Sequence, residues 1–169
     1  MMTIDFARVL LFPALMAFAA SSDLLTMTIS NRLSLLLVAG FFVLAVAVGM
    51  DMRDIGYHVL AGAVVLAVGF LFFSRGWIGG GDAKLAAAVA LWFGFEFLLP
   101  YFLWATVFGG VLTLLILKFR SFPLPPTLMH HVWVDRLHQK NTGIPYGIAL
   151  AVAALLIYPS TVWMKTLAL

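Results

Sequence analysis

No charged residue occurs in the 20 positions from Ile55 to Ser74, the 21 from Phe97 to Leu117 or the 24 from Asn141 to Met164. A helix rises about 1.5 Å per residue, so roughly 20 apolar residues cross a hydrocarbon core of about 30 Å. Leu33–Met50, at 18 residues, approaches that length, whereas Val9–Ser22 at 14 and Leu85–Phe95 at 11 fall short. Only 10% of the 169 residues are charged and 64% are hydrophobic. A soluble domain carries about 25% charged residues. A soluble globule, long disorder and a collagen-like chain are therefore excluded, and the lack of Cys excludes a disulfide-framed secreted module. A net charge of +3 with no basic cluster longer than two residues is a weak footprint for nucleic acid, and none is expected as a partner. The expected fold is an all-α integral membrane protein of six transmembrane helices in one domain, residues 1–169, with the bilayer as its surroundings.

The two short runs are the informative ones. The first ends at Asp23, and the second begins just after Asp82 and Lys84. A helix from about residue 3 to 25 spans only if Asp23 lies at or just below the membrane surface. A helix from about 81 to 99 spans only if Asp82 starts it. Length alone thus puts two carboxylates at membrane depth, where an ionisable side chain is costly and marks a candidate functional site. The plainer alternative is that one of these runs is a buried half-helix.

Lys and Arg near helix ends mark the cytoplasmic side. With six spans, the loops after the first, third and fifth carry Arg32, Arg75, Lys84, Lys118, Arg120, Arg136 and Lys140, whereas the other side carries Arg8, Arg53 and Lys165. Both termini are then expected on the non-cytoplasmic side, with Asp23 and Asp82 together at the cytoplasmic face. Residues 118–142 form the one long loop, cytoplasmic and in part interfacial. Residues 1–20 resemble a secretory signal, but its removal would turn the basic set outward, and Asp5 offsets Arg8. An uncleaved first helix is expected.

Two carboxylates brought together in a poorly hydrated place cannot both ionise comfortably and share a proton. The ionised member can take a proton from water while the protonated one polarises a carbonyl, which is general acid–base peptide hydrolysis. A pair of interfacial helix caps is the competing reading, since Ser21-Ser22-Asp23 and Gly81-Asp82 look like caps. The surroundings of Asp82 shift the balance. Gly79, Gly80 and Gly81 stand directly before it, and glycine permits positive φ or close approach of another backbone, as an extended protease substrate requires. A phosphate-binding loop lacks its GK[ST] continuation here.

Gly79-Gly80-Gly81-Asp82-Ala83-Lys84-Leu85 resembles the GxGD motif of the type IV prepilin peptidases, membrane aspartic proteases that process pilin precursors. Asp23 to Asn31 is similar to that family's first-aspartate segment, with Ser30 where proline is usual, and Gly143-Ile144-Pro145-Tyr146-Gly147 resembles the entry to its last helix. The resemblance implies catalytic Asp23 and Asp82, no metal or other cofactor, and prepilin or pseudopilin substrates cut after a Gly at the cytoplasmic face of the bacterial inner membrane. The bifunctional members carry paired CxxC motifs and also methylate the new amino terminus. With no Cys, this chain resembles the short, peptidase-only form associated with tight-adherence (Flp-type) pili, without methyltransferase activity.

The other polar residues have two readings each. Lys84 either orients substrate or snorkels to the interface. Asn31 either binds backbone near the site or ends a loop. Pro145, Tyr146 and Gly147 shape the floor of the site, or Tyr146 is an interface anchor. His131, Asp135 and His138 share one helical face, yet an amphipathic segment on the bilayer surface is the expected reading rather than a metal site. The functional alternative is a small transporter or channel subunit using Asp23 and Asp82 as an ion relay. It needs a polar path that Leu10–Ala20 and Ala86–Phe95 do not offer.

Overall fold

The protein, described here from a computed structural model over residues 2–165, is helical throughout the described residues, with no strand. The chain forms α1 (Met2–Thr26), α2 (Asn31–Ala47), α3 (Met52–Ser74), α4 (Gly80–Phe93) and α5 (Leu98–Ser121). Two short helices follow, α6 (Pro126–Met129) and α7 (Val132–His138), then α8 (Tyr146–Ile157) and a last turn, α9 (Val162–Lys165). Ile4–Thr26, Met52–Ser74 and Phe95–Ser121 are long and apolar enough to cross a membrane, and Asn31–Ala47 and Tyr146–Ser160 are shorter apolar helices. Large apolar side chains face outward along them, among them Leu35, Val43, Phe70, Leu103 and Leu114. Water would not tolerate such a surface, whereas lipid does. The chain is a multi-pass helical membrane protein.

Where the runs end, local chemistry explains why. Gly94 takes φ +62°, a left-handed conformation open to glycine, so α4 stops and a single 3₁₀ turn, Phe95–Phe97, leads into α5. The 24-residue run from Asn141 is not one helix. It starts at Tyr146, after Pro145, and breaks at the 3₁₀ turn Tyr158–Ser160, which contains Pro159.

At the centre lies α4, with every residue from Leu85 to Phe93 buried. It packs against α3, α2 and α8. Small residues allow the closest of these contacts. A Cβ on Gly69 of α3 would stand 3.1 Å from the Ala83 Cβ, and one on Gly62 would stand 3.2 Å from the Leu91 Cβ. At one end of the bundle an aromatic cluster locks the helices. The Trp92 indole donates to the Leu37 carbonyl (2.9 Å), the Trp163 indole to that of Trp92 (2.7 Å), and the Tyr158 hydroxyl to that of Arg8 (2.6 Å). α1 starts at this aromatic end, so its last turn, with Asp23, lies at the other.

Candidate active site

Asp23 occupies the last turn of α1 and is only 4% exposed. The turn is made by the polar run around it. The Ser22 hydroxyl donates to the Thr28 carbonyl (2.9 Å), that of Thr26 to the Ser22 carbonyl (2.7 Å), and Met27 takes φ +53°. Ser30 then caps α2 by accepting from the Leu33 N–H at 3.3 Å. A carboxylate at the carbonyl end of its own helix is poorly placed electrostatically. Its partner comes from another helix. The N–H of Gly147, in the first turn of α8, donates to Asp23 Oδ2 at 2.7 Å. Pro145 at the N-cap offers no side-chain acceptor, so Asp23 supplies from α1 the cap that α8 lacks. A Cβ on Gly147 would lie 2.7 Å from that oxygen and 2.6 Å from Ile29 Cδ1, so only glycine fits.

Asp82 stands at the third position of α4, with Gly79 at the N-cap. Its carboxylate lies against Gly79, where the acidic member of a capping box stands: Oδ2 is 2.8 Å from where a Cβ on Gly79 would be. The local cap reading therefore describes a real contact of Asp82, but not of Asp23, which caps a helix remote in sequence. Ile29 joins the two sides. It packs against Gly147 beside the Asp23 carboxylate, and its Cβ stands 3.2 Å from where a Cβ on Gly81 would be. Asp82 feels the charge of Asp23. The ends of α1, α4 and α8 thus meet with both carboxylates among them. Gly79, Gly80 and Gly81 are not used for positive φ: among the described glycines only Gly49, Gly76 and Gly94 have it. Gly81 admits Ile29, and Gly80 lies against the ring of Phe73.

This place is built from segments far apart in sequence, and most of it lies in a stretch that can be compared with known proteins. The chain matches the model of the type IV leader peptidase family over residues 10–114, more than half its length. It belongs to that family. No curated protein and no solved structure matches it. The leader peptidase match contains Asp23, Ile29, Gly79–Gly81 and Asp82 but stops short of Gly147, which only the fold joins to them.

The remaining expected site residues of this leader peptidase lie around the pair. Lys84 is two residues after Asp82, about 200° around the helix. Its ammonium donates to Asn31 Oδ1 at 2.8 Å, tying α4 to α2 at the edge of an apolar groove of about 560 Å³ between α2 and α3. Tyr146 turns toward α5, its hydroxyl 3.1 Å from that of Thr113 and its ring against Gly109. Pro145 is buried under the start of α8. In α7, the Asp135 carboxylate accepts from Gln139 (2.9 Å) and a His138 ring nitrogen meets the Phe122 carbonyl (2.8 Å). No group of three potential metal-ligating side chains forms among the described residues. Sequence reasoning missed Ile29, an aliphatic residue within a quoted motif, and the Arg136 contact to the Leu25 carbonyl at the end of α1 (3.0 Å).

Proposed function

We propose that the protein is a membrane-embedded aspartic endopeptidase that removes the leader of Flp-type prepilins or pseudopilins. It cuts after a Gly, at the cytoplasmic face of a bacterial inner membrane. The observation that carries this reading is the convergence of Asp23 and Asp82, from α1 and α4, around Ile29 at one end of the bundle. Membership of the leader peptidase family supports peptide hydrolysis as its use.

In this mechanism the ionised aspartate takes a proton from water, and the water oxygen bonds to the scissile carbonyl carbon. The protonated aspartate gives its proton to the carbonyl oxygen. The tetrahedral intermediate then collapses, the C–N bond breaks, and a proton passes to the leaving nitrogen. A carboxyl end remains on the leader and a new amino terminus on the pilin. Neither aspartate has a fixed role, because such a pair titrates as a unit. The Gly147 N–H holds the Asp23 carboxylate in place throughout.

The proposal includes six crossings, by α1 to α5 and α8, with both termini outside. It is supported by chain direction. α1 ends where α4 and α8 begin, as alternating crossings require. The ion-relay alternative finds no support, since the interior beyond the aspartates is filled by Val89, Trp92, Phe12 and Phe41. Co-expression with a candidate prepilin tests the proposal: leader removal shortens the pilin with the natural chain and leaves it full length with Asp82→Asn. Normal shortening by either Asp23→Asn or Asp82→Asn would sink it.

A further inference from the structure

A cation is buried near the start of α8 that neither the sequence motifs nor the family match explains. Arg120, in the last turn of α5, is 9% exposed and lies beyond the matched residues. Its Nε donates to the Leu137 carbonyl at 2.7 Å, and one Nη donates to Thr142 Oγ1 and to the Gly143 carbonyl, both at 2.9 Å. Among the described residues it forms no ion pair with a carboxylate. Burying a guanidinium on neutral acceptors costs desolvation that a surface arginine avoids, so the geometry it imposes calls for a reason.

The three bonds converge on the stretch that delivers α8. From the Gly143 carbonyl the chain has little freedom before Gly147. Pro145 has its φ fixed by its ring, the Tyr146 N–H bonds the Ile144 carbonyl (2.9 Å), and the Ile148 N–H bonds that of Pro145 (3.2 Å). A displacement of Gly143 is therefore passed on to the Gly147 N–H that meets Asp23. The same stretch is tied back to α1. The Thr142 hydroxyl is 2.7 Å from the Arg136 carbonyl, and the Arg136 guanidinium reaches the Leu25 carbonyl, two residues from Asp23.

We propose that Arg120 is a positioning residue for Asp23: by holding Gly143 it sets where α8 begins and hence how the Gly147 N–H presents itself to the carboxylate. This rests on the reading of Asp23 as catalytic. A lysine cannot reproduce it, because the planar guanidinium directs its donors along fixed and diverging lines.

The test is steady-state cleavage of a prepilin by the purified full chain, normalised to correctly inserted protein. Arg120→Ala is expected to lower kcat on the order of 10²-fold, with KM changed less than about threefold, since sub-ångström misplacement is felt in the chemical step. Added methylguanidine should then restore about tenfold of kcat, an effect a purely structural defect would not give, and Arg120→Lys should fall between. Thr142→Val keeps the guanidinium and removes one acceptor. It is expected to lower kcat by about threefold to tenfold without rescue, and it decides the matter if Arg120→Ala does not accumulate. Unchanged kcat in the accumulating variant, or a loss confined to KM, overturns the proposal. Asp23→Asn is measured alongside. Its retained cleavage would refute the catalytic reading itself, whereas an inactive Asp23→Asn beside an unimpaired Arg120→Ala would refute only the positioning.

Discussion

Gly147 has the least room of the glycines at the candidate site. A methyl group there would stand 2.7 Å from Asp23 Oδ2 and 2.6 Å from Ile29 Cδ1, and Asp23 is bound to the same residue's N–H. Gly147→Ala is expected to displace the carboxylate and lower the rate of leader removal by on the order of 10²-fold. Gly110→Ala, where an added Cβ meets nothing within 4 Å, should cleave at the natural rate. Initial rates of pilin shortening check both. The aspartates themselves were legible in the sequence because they interrupt runs whose length is set by the bilayer. Gly147 was legible only as part of a motif, and Ile29 not at all as a contact. Nothing in an aliphatic side chain announces that it will lie between two helix ends. The same holds for the Lys84–Asn31 bond, which joins residues 53 positions apart. Such contacts depend on how helices are stacked, which hydropathy does not encode.

Among the elements, α4 departs furthest from a simple membrane span. Its 14 residues measure about 21 Å, short of a hydrocarbon core of about 30 Å. Enclosure permits this: its flanks meet α2, α3 and α8 rather than lipid, and Gly94 and Asp82 finish its ends within protein. The sequence led to a helix from about 81 to 99, and Gly94 ends it at Phe93 instead, leaving a short helix whose alanines are buried. The wall they pack against was not foretold, since Gly62 and Gly69 are two glycines among many in apolar helices. Gly69→Val would drive a branched side chain into Ala83, 3.1 Å from the Cβ position. Destabilisation of about 1–3 kcal/mol is expected, read as a lower thermal midpoint in detergent. α8 teaches the opposite lesson. Its run of 24 uncharged residues suggested one long span, but Pro145 and Pro159 cut it to the stretch between them, and both prolines stand in the sequence.

For the whole molecule, the scarcity of charge was the most legible property, and side-to-side bias in the few basic residues gave the proposed orientation, while the chain directions bear only on alternation of the helices. The absence of Cys makes this topology directly measurable. Single cysteines at Ser121 and Lys140 are expected to react with a membrane-impermeant maleimide only from the cytoplasmic side, and those at Asp51 and Glu96 only from the outside. Reversed labelling would invert the proposed arrangement. The account stands or falls, however, on whether the two aspartates act together. The most direct measurement is the initial rate of prepilin leader cleavage by Asp23→Asn, Asp82→Asn and the double variant in proteins inserted at equal levels. Because the pair works as one unit, each single change should bring cleavage to background and the double change should take it no lower. Cleavage at the natural rate by either single variant would contradict the account.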